Sequence, residues 1–235
     1  MATSASVTAP APSPVPAPAP APATPDPPAA PPATQSFTLA LVALSGYVDA
    51  VSYLRYNKIY VSFMTGNTTS LGVALAQRDG GKVVLLFGVI ALFVTGVLAG
   101  NLLQRRAGQW GRTVVLFAVA ALLLLAWPWP AGTIACLALA MGVLNATVHK
   151  EGSVAVSLTY VTGTLVHFGV GLADLVSGRT PEKGWPGPVL FWLAFLGGAL
   201  AGGALLVQRD ALALPVAIGL TLLLALVTRR VRDTK

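Results

Sequence analysis

The side chains in this sequence that could move a proton, hold an ion or attack a bond gather in two places. Asp49 stands inside "LSGYVDAVSYL", and Thr65, Gly66 and Asn67 follow within "VSFMTGNTTSLGVALA" (61–76). Asn145 stands inside "GVLNAT", and Thr162, Gly163, Thr164 and His167 follow within "LTYVTGTLVHFGVGLA" (158–173). A carboxylate in an apolar run is costly, so Asp49 should face the bundle interior or a wet cavity. There it could couple a cation or proton. Alternatively it could anchor a hydrogen bond to a neighbouring helix, through Arg55, Lys58 or a tyrosine. His167 could bind a solute or relay protons, or simply donate an interhelical hydrogen bond. All five tyrosines, Tyr47, Tyr53, Tyr56, Tyr60 and Tyr160, fall in or beside these two stretches. Membrane-interface anchoring explains some of them, and Tyr47 and Tyr160 are candidates to line a pocket. His149, with Lys150 and Glu151, reads as an interfacial cluster.

The chemistry of a soluble enzyme is not written here. There is no HExxH, no GxSxG and no Gly-rich phosphate loop with lysine. A Ser70–His167 pair would need proximity that the spacing does not demand, so an intramembrane enzyme is the weakest reading. One cysteine, Cys136, excludes an internal disulfide framework and a Cys-based zinc site. Neither a metal nor any other cofactor is expected.

What must position these residues is a membrane bundle. Of 235 residues, 55% are apolar and only 10% charged, against about 25% in an ordinary soluble domain. Mean hydropathy is +0.74. A surface with so few charges suits lipid, not water. The net charge of +7 is not a nucleic-acid signal, because the basic residues stand singly between apolar runs or at the end of the chain. Residues 1–36 differ in kind: "APAPSPVPAPAPAPATPDPPAAPPAT" denies the backbone its donors and fixes φ, so a polyproline-II-rich, disordered tail is expected. It lacks the features of a signal peptide.

Eight apolar stretches follow, roughly 37–54, 60–77, 83–104, 113–129, 131–148, 154–175, 187–207 and 212–228. Stoppers separate them: "QRDGGK" at 77–82, "WPWPAG" at 127–132 and "SGRTPEKGWPGP" at 177–188. The expected fold is an all-α polytopic membrane domain over 37–230, followed by a basic end at 231–235.

Three echoes run through it in the same order. "GYVDAV" from Gly46 returns as "GVLNAT" from Gly142. Thr65-Gly66 returns as Thr162-Gly163. "LAG" at 98–100 returns at 200–202, each copy soon followed by Gln-Arg. The order suggests two repeats, about 37–129 and 131–230. If all four segments of each repeat cross, the repeats are parallel. If 60–77 and 154–175 enter and return, the repeats are inverted, each with three full spans plus one interrupted or re-entrant segment.

The inverted arrangement collects Arg105, Arg106, Arg112, Lys150, Arg179, Lys183, Arg229, Arg230, Arg232 and Lys235 on one face. That leaves Arg55, Lys58, Arg78, Lys82 and Arg209 on the other, as the positive-inside rule prefers. A mixed model with only the second segment re-entrant scores higher by charge but breaks the symmetry. Residues 58–64, "KIYVSFM", are β-branched and aromatic, so strand-like. Thr65 or Asn67 could then cap the helix that follows. Interrupted helices at equivalent places in two halves are the sequence pointer to a transporter's site. The runs "GVLAG" (96–100) and "GGALAGG" (197–203) suit close helix packing, with a glycine hinge as the alternative.

"GYVDAVSYL…VSFMTGNTTSLGVALA" resembles the signature of the YoaK-like family, bacterial inner-membrane proteins built on a domain of unknown function. The pattern G-x-x-D-A, a short aromatic and β-branched stretch, then T-G-N falls on Gly46, Asp49, Ala50, Thr65, Gly66 and Asn67. The resemblance covers about 37–230. It implies a multi-pass protein of the bacterial inner membrane and supplies neither reaction nor substrate.

The residues themselves suggest a small secondary transporter or permease. Helix N-termini at Thr65–Asn67 and Thr162–Thr164 would face a small polar or anionic solute. The alternative is a non-transporting scaffold or sensor that acts through a partner. The lipid bilayer is the expected surrounding, and a homo-oligomer is compatible with either reading.

Overall fold

The computed structural model describes residues 32–129, 132–147 and 161–233. Among them the chain forms eight α-helices and no strand: α1 (Pro32–Arg55), α2 (Met64–Ala76), α3 (Gly80–Arg106), α4 (Gly111–Ala126), α5 (Thr133–Asn145), α6 (Val161–Val176), α7 (Val189–Gln208) and α8 (Asp210–Asp233). Each falls on one of the eight apolar stretches. Helix α1 starts at Pro32, ahead of the apolar run, because proline is tolerated in a first turn where the N–H has no partner. The tail before it, and the segment 148–160 between α5 and α6, lie outside the described residues.

Helix α3 shows why these segments are helices that span. Its 27 residues reach about 40 Å at 1.5 Å per residue, more than a 30 Å hydrocarbon core. Asp79 caps its start by accepting from the Lys82 N–H at 3.0 Å. Arg105 and Arg106 close it at the negative end of the dipole. Among the described residues, five segments are long and apolar enough to cross: 35–55, 80–106, 108–126, 189–208 and 210–229. Helix α2, at 13 residues, is only about 20 Å long.

The helices pair by close backbone approach. Helix α1 packs on α7, and α3 on α5. A Cβ on Gly198 would strike the Ala43 carbonyl oxygen, and one on Gly202 would come within 2.5 Å of the Tyr47 carbonyl oxygen. In the other pair, a Cβ on Gly96 would strike the Leu139 carbonyl oxygen, and one on Gly100 would sit 2.8 Å from that of Val143. Both small-residue runs therefore serve packing, as glycine stripes do between membrane helices. In each pair the contact numbers rise together, so the paired helices run parallel. Helix α4 packs on α5 and α8, α2 lies on α3, and α6 lies on α7.

These contacts also fix which helix ends share a face. The Thr113 hydroxyl at the start of α4 donates to Thr228 near the end of α8 at 3.4 Å. Arg55 at the end of α1 forms an ion pair with Asp210 at the start of α8. With α3 and α8 crossing, the end of α1 and the start of α3 lie on the same face. The two ends of the segment 56–79, with α2 inside it, therefore lie at one end of the bundle.

Candidate functional site

The sequence of α1 places Asp49 six residues before its end, buried at 2% exposure. A carboxyl group there needs hydrogen-bond partners, and the segment after α1 brings them. The backbone N–H groups of Val61 and Ser62 both donate to Asp49 Oδ1 at 2.7 Å. The Ser62 hydroxyl donates to Asp49 Oδ2 at 2.5 Å, and Ser45 in turn donates to the Ser62 Oγ at 2.8 Å. The sequence offered Arg55, Lys58 or a tyrosine as its structural hydrogen-bond partner; the partners are instead the Val61 and Ser62 backbone and the Ser62 hydroxyl.

This also explains why residues 58–64 are not strand-like in the fold. Their β-branched pattern has no neighbouring strand among the described residues, and the carboxylate takes the N–H groups that a ladder would use. The segment is instead pinned piece by piece. Ser52 donates to the Ile59 carbonyl at 2.9 Å.

Asn67 does not cap α2, and neither does Thr65; the N-cap position is Phe63, with no side-chain cap. Buried Asn67 holds Tyr60 by both backbone groups instead, accepting from its N–H at 3.1 Å and donating to its carbonyl at 2.7 Å. An amide side chain, with donor and acceptor side by side, suits that task better than a helix end does. Gly66 leaves room for aromatic rings: a Cβ there would sit 2.6 Å from the Phe63 ring and 3.1 Å from that of Tyr60. Those two rings meet edge to face at 5.3 Å, and Tyr53 lies 5.0 Å from Tyr60.

The rings of this pinned loop form one wall of a cavity of about 280 Å³. It is lined by Tyr60, Ser62 and Phe63, by Thr162 and Leu165 of α6, and by Trp192 and Phe195 of α7. Parts of both Thr-Gly stretches therefore meet across one hollow. Thr162 is the sequence-selected residue that lines it. Gly163 and Thr164, one turn position on, are buried. His167 is exposed and does not line the cavity. At 100° per residue it lies about 200° around α6 from Leu165, on the opposite face.

Thr65 is exposed, its carbonyl accepting from the Thr69 hydroxyl at 3.1 Å. Tyr47 is buried away from the cavity and donates to the Ala213 carbonyl at 2.8 Å, tying α1 to α8. Asn145 is buried and donates to the Met141 carbonyl at 3.0 Å within its own helix. Tyr160 and His149 lie outside the described residues.

Sequence reasoning passed over Ser62, Phe63, Leu165, Trp192 and Phe195. Ser62 carried a readable signal, a hydroxyl in the apolar "YVSFM". Trp192 and Phe195 carried none, because rings in "FWLAF" look the same whether they face lipid or a hollow. No group of three metal-ligating side chains occurs among the described residues.

Comparison with known proteins gives a family without an activity. Residues 37–227 match the family model described as "Protein of unknown function (DUF1275)". The chain is 36% identical over 183 residues to the UPF0700 transmembrane protein RA0705 of Rhizobium meliloti (strain 1021), covering 76% of this chain and 80% of that protein. It is 28% identical over 160 residues to the UPF0700 transmembrane protein YoaK of Bacillus subtilis (strain 168), covering 63% and 69%. No solved structure matches.

Proposed function

The chain belongs to the DUF1275 family, is an integral, multi-pass membrane protein, and from that premise we propose that it is a small-solute permease. One observation carries the reading. Residues of the two Thr-Gly stretches, about a hundred positions apart in sequence, line a single cavity in an otherwise apolar bundle. Irregular backbone at membrane depth is tolerated where it is buried in protein or lines a wet hollow. Residues 57–63 are irregular backbone between α1 and α2, and Tyr60, Ser62 and Phe63 line the hollow. The proposal is of a protein that binds and translocates, not one that makes or breaks bonds.

The packing supports an inverted pair of halves around this site. The contacts Gly96–Leu139 and Gly100–Val143 reappear as Gly198–Ala43 and Gly202–Tyr47. Numbers on α1 and α5 differ by 96, and those on α7 and α3 by 102, close to the spacing of the sequence echoes. Gly46 against Phe195 and Gly142 against Phe93 obey the same offsets. The α1–α7 pair runs from the Arg112 face to the Arg55 face, and the α3–α5 pair runs the other way. That is the relation alternating-access folds use, with the solute held where the halves meet.

The test is solute-dependent thermal stabilisation of purified protein, followed by uptake into proteoliposomes. A solute that stabilises the wild type should fail to stabilise Gly66→Leu, in which the added side chain displaces the Phe63 and Tyr60 rings. If a panel of sugars, organic acids, amines and nucleobases shifts nothing, the permease reading falls.

A further inference from the structure

The chemistry of the cavity wall names a class of solute, an inference that rests on the permease reading. We infer that the cavity takes a small organic cation of the substituted-ammonium type. Four of its seven lining residues are aromatic: Tyr60, Phe63, Trp192 and Phe195. Ring faces attract cations, tryptophan most strongly, and clustered rings are the usual receptor for ammonium groups whose charge is spread over methyls. Ser62 and Thr162 add hydroxyls to the lining, and among the described residues no Lys, Arg or His lines the hollow.

An acidic side chain stands behind the loop side of the wall. Asp49 stands directly behind Ser62, one hydrogen bond of 2.5 Å from a lining residue. The Ser62 hydroxyl hydrogen is committed to that carboxylate, so the lining group offers an oxygen, not a donor, toward the solute.

At the start of α2, most of the N–H groups that an anion would use are taken. Val61 and Ser62 N–H go to Asp49. Met64 N–H goes to the Ser62 carbonyl at 3.0 Å, and Gly66 and Asn67 N–H go to the Phe63 carbonyl at 3.2 and 3.4 Å. The loop that enters this helix, whose N-terminus the sequence offered to a small polar or anionic solute, already turns its N–H groups to the protein's own carboxyl group.

The experiment uses three probes of matched shape on the purified full-length chain: tetramethylammonium, neutral neopentyl alcohol and anionic pivalate. Melting temperature and tryptophan fluorescence are followed at constant ionic strength. Tetramethylammonium should raise the melting temperature in a saturable way, and pivalate should not. Trp192→Leu should weaken the tetramethylammonium affinity about tenfold, and Trp192→Phe only a few-fold, as the ring quadrupole shrinks. Asp49→Asn, which retains an acceptor for the loop, should weaken it about tenfold in protein that still unfolds cooperatively.

Equal or tighter binding of pivalate or neopentyl alcohol overturns the cation assignment and leaves the permease reading standing. So does a Trp192→Leu protein with unchanged tetramethylammonium affinity. If neither these probes nor the wider solute panel shifts the melting temperature, both readings fall.

Discussion

Replacing Asp49 separates its role as a loop anchor from its charge, and the structure sets the size of each effect. Asp49→Ala removes the acceptor for the Val61 and Ser62 N–H groups. The Ser62 hydroxyl can turn to another partner, but the two backbone N–H groups cannot. Each buried donor left alone costs about 1–3 kcal/mol, so the loss is about 4 kcal/mol. In a chain of this length each kcal/mol moves the melting temperature by about 2–4 °C, which predicts a fall of about 10 °C.

Asp49→Asn keeps one carbonyl oxygen for both N–H groups. Its new amide hydrogens can donate to the Ser62 Oγ while the Ser62 and Ser45 hydroxyls reverse direction, as hydroxyls are free to do. The loss should be about 1 kcal/mol, a shift of about 3 °C. The assay is thermal unfolding in detergent or nanodiscs, read by tryptophan fluorescence. If both variants melt within a degree of the wild type, Asp49 does not hold the loop. If Asn costs as much as Ala, the charge and not the acceptor geometry sustains the fold.

Other perturbations follow from the packing and the topology. Gly198→Ala should destabilise by about 2 kcal/mol, because its methyl meets the Ala43 carbonyl, whereas Gly197→Ala, with open space around it, should be neutral or stabilise by about 0.5 kcal/mol; paired melting curves decide. Tyr47→Phe should cost about 1 kcal/mol through the lost bond to the Ala213 carbonyl, and leave solute binding unchanged. In a Cys136→Ala background, Gly80→Cys and Thr180→Cys should label from opposite faces of the membrane with an impermeant thiol reagent. Labelling from one face would remove the inverted arrangement.

Much of the architecture was legible because hydrocarbon makes simple demands. Each of the eight apolar stretches became a helix, since a chain in lipid must satisfy its own backbone. The break after Arg55 was legible too, in a carboxylate and a polar triplet that the bilayer would not otherwise tolerate.

What the break is made of was not legible. Residues 58–64 have the composition of a strand, yet a single side chain twelve positions earlier supplies the acceptor that a strand would need. Asn67 stands where caps usually stand, but it serves Tyr60. His167 looked functional by type alone, and helix geometry turns it away from the hollow. The aromatic half of the wall was silent, because a sequence marks a ring as apolar without saying what it faces.

The most direct test of the central claim is solute protection of a single thiol. In the Cys136→Ala background, Thr162→Cys places a sulfur on the cavity wall, and His167→Cys places one on the far side of the same helix. Modification by a small water-soluble thiol reagent is timed with tetramethylammonium chloride or an equal concentration of sodium chloride. The account predicts that tetramethylammonium slows the reaction at position 162 several-fold and leaves that at position 167 unchanged. Equal rates at position 162 in both salts, at concentrations that shift the melting temperature, would contradict it.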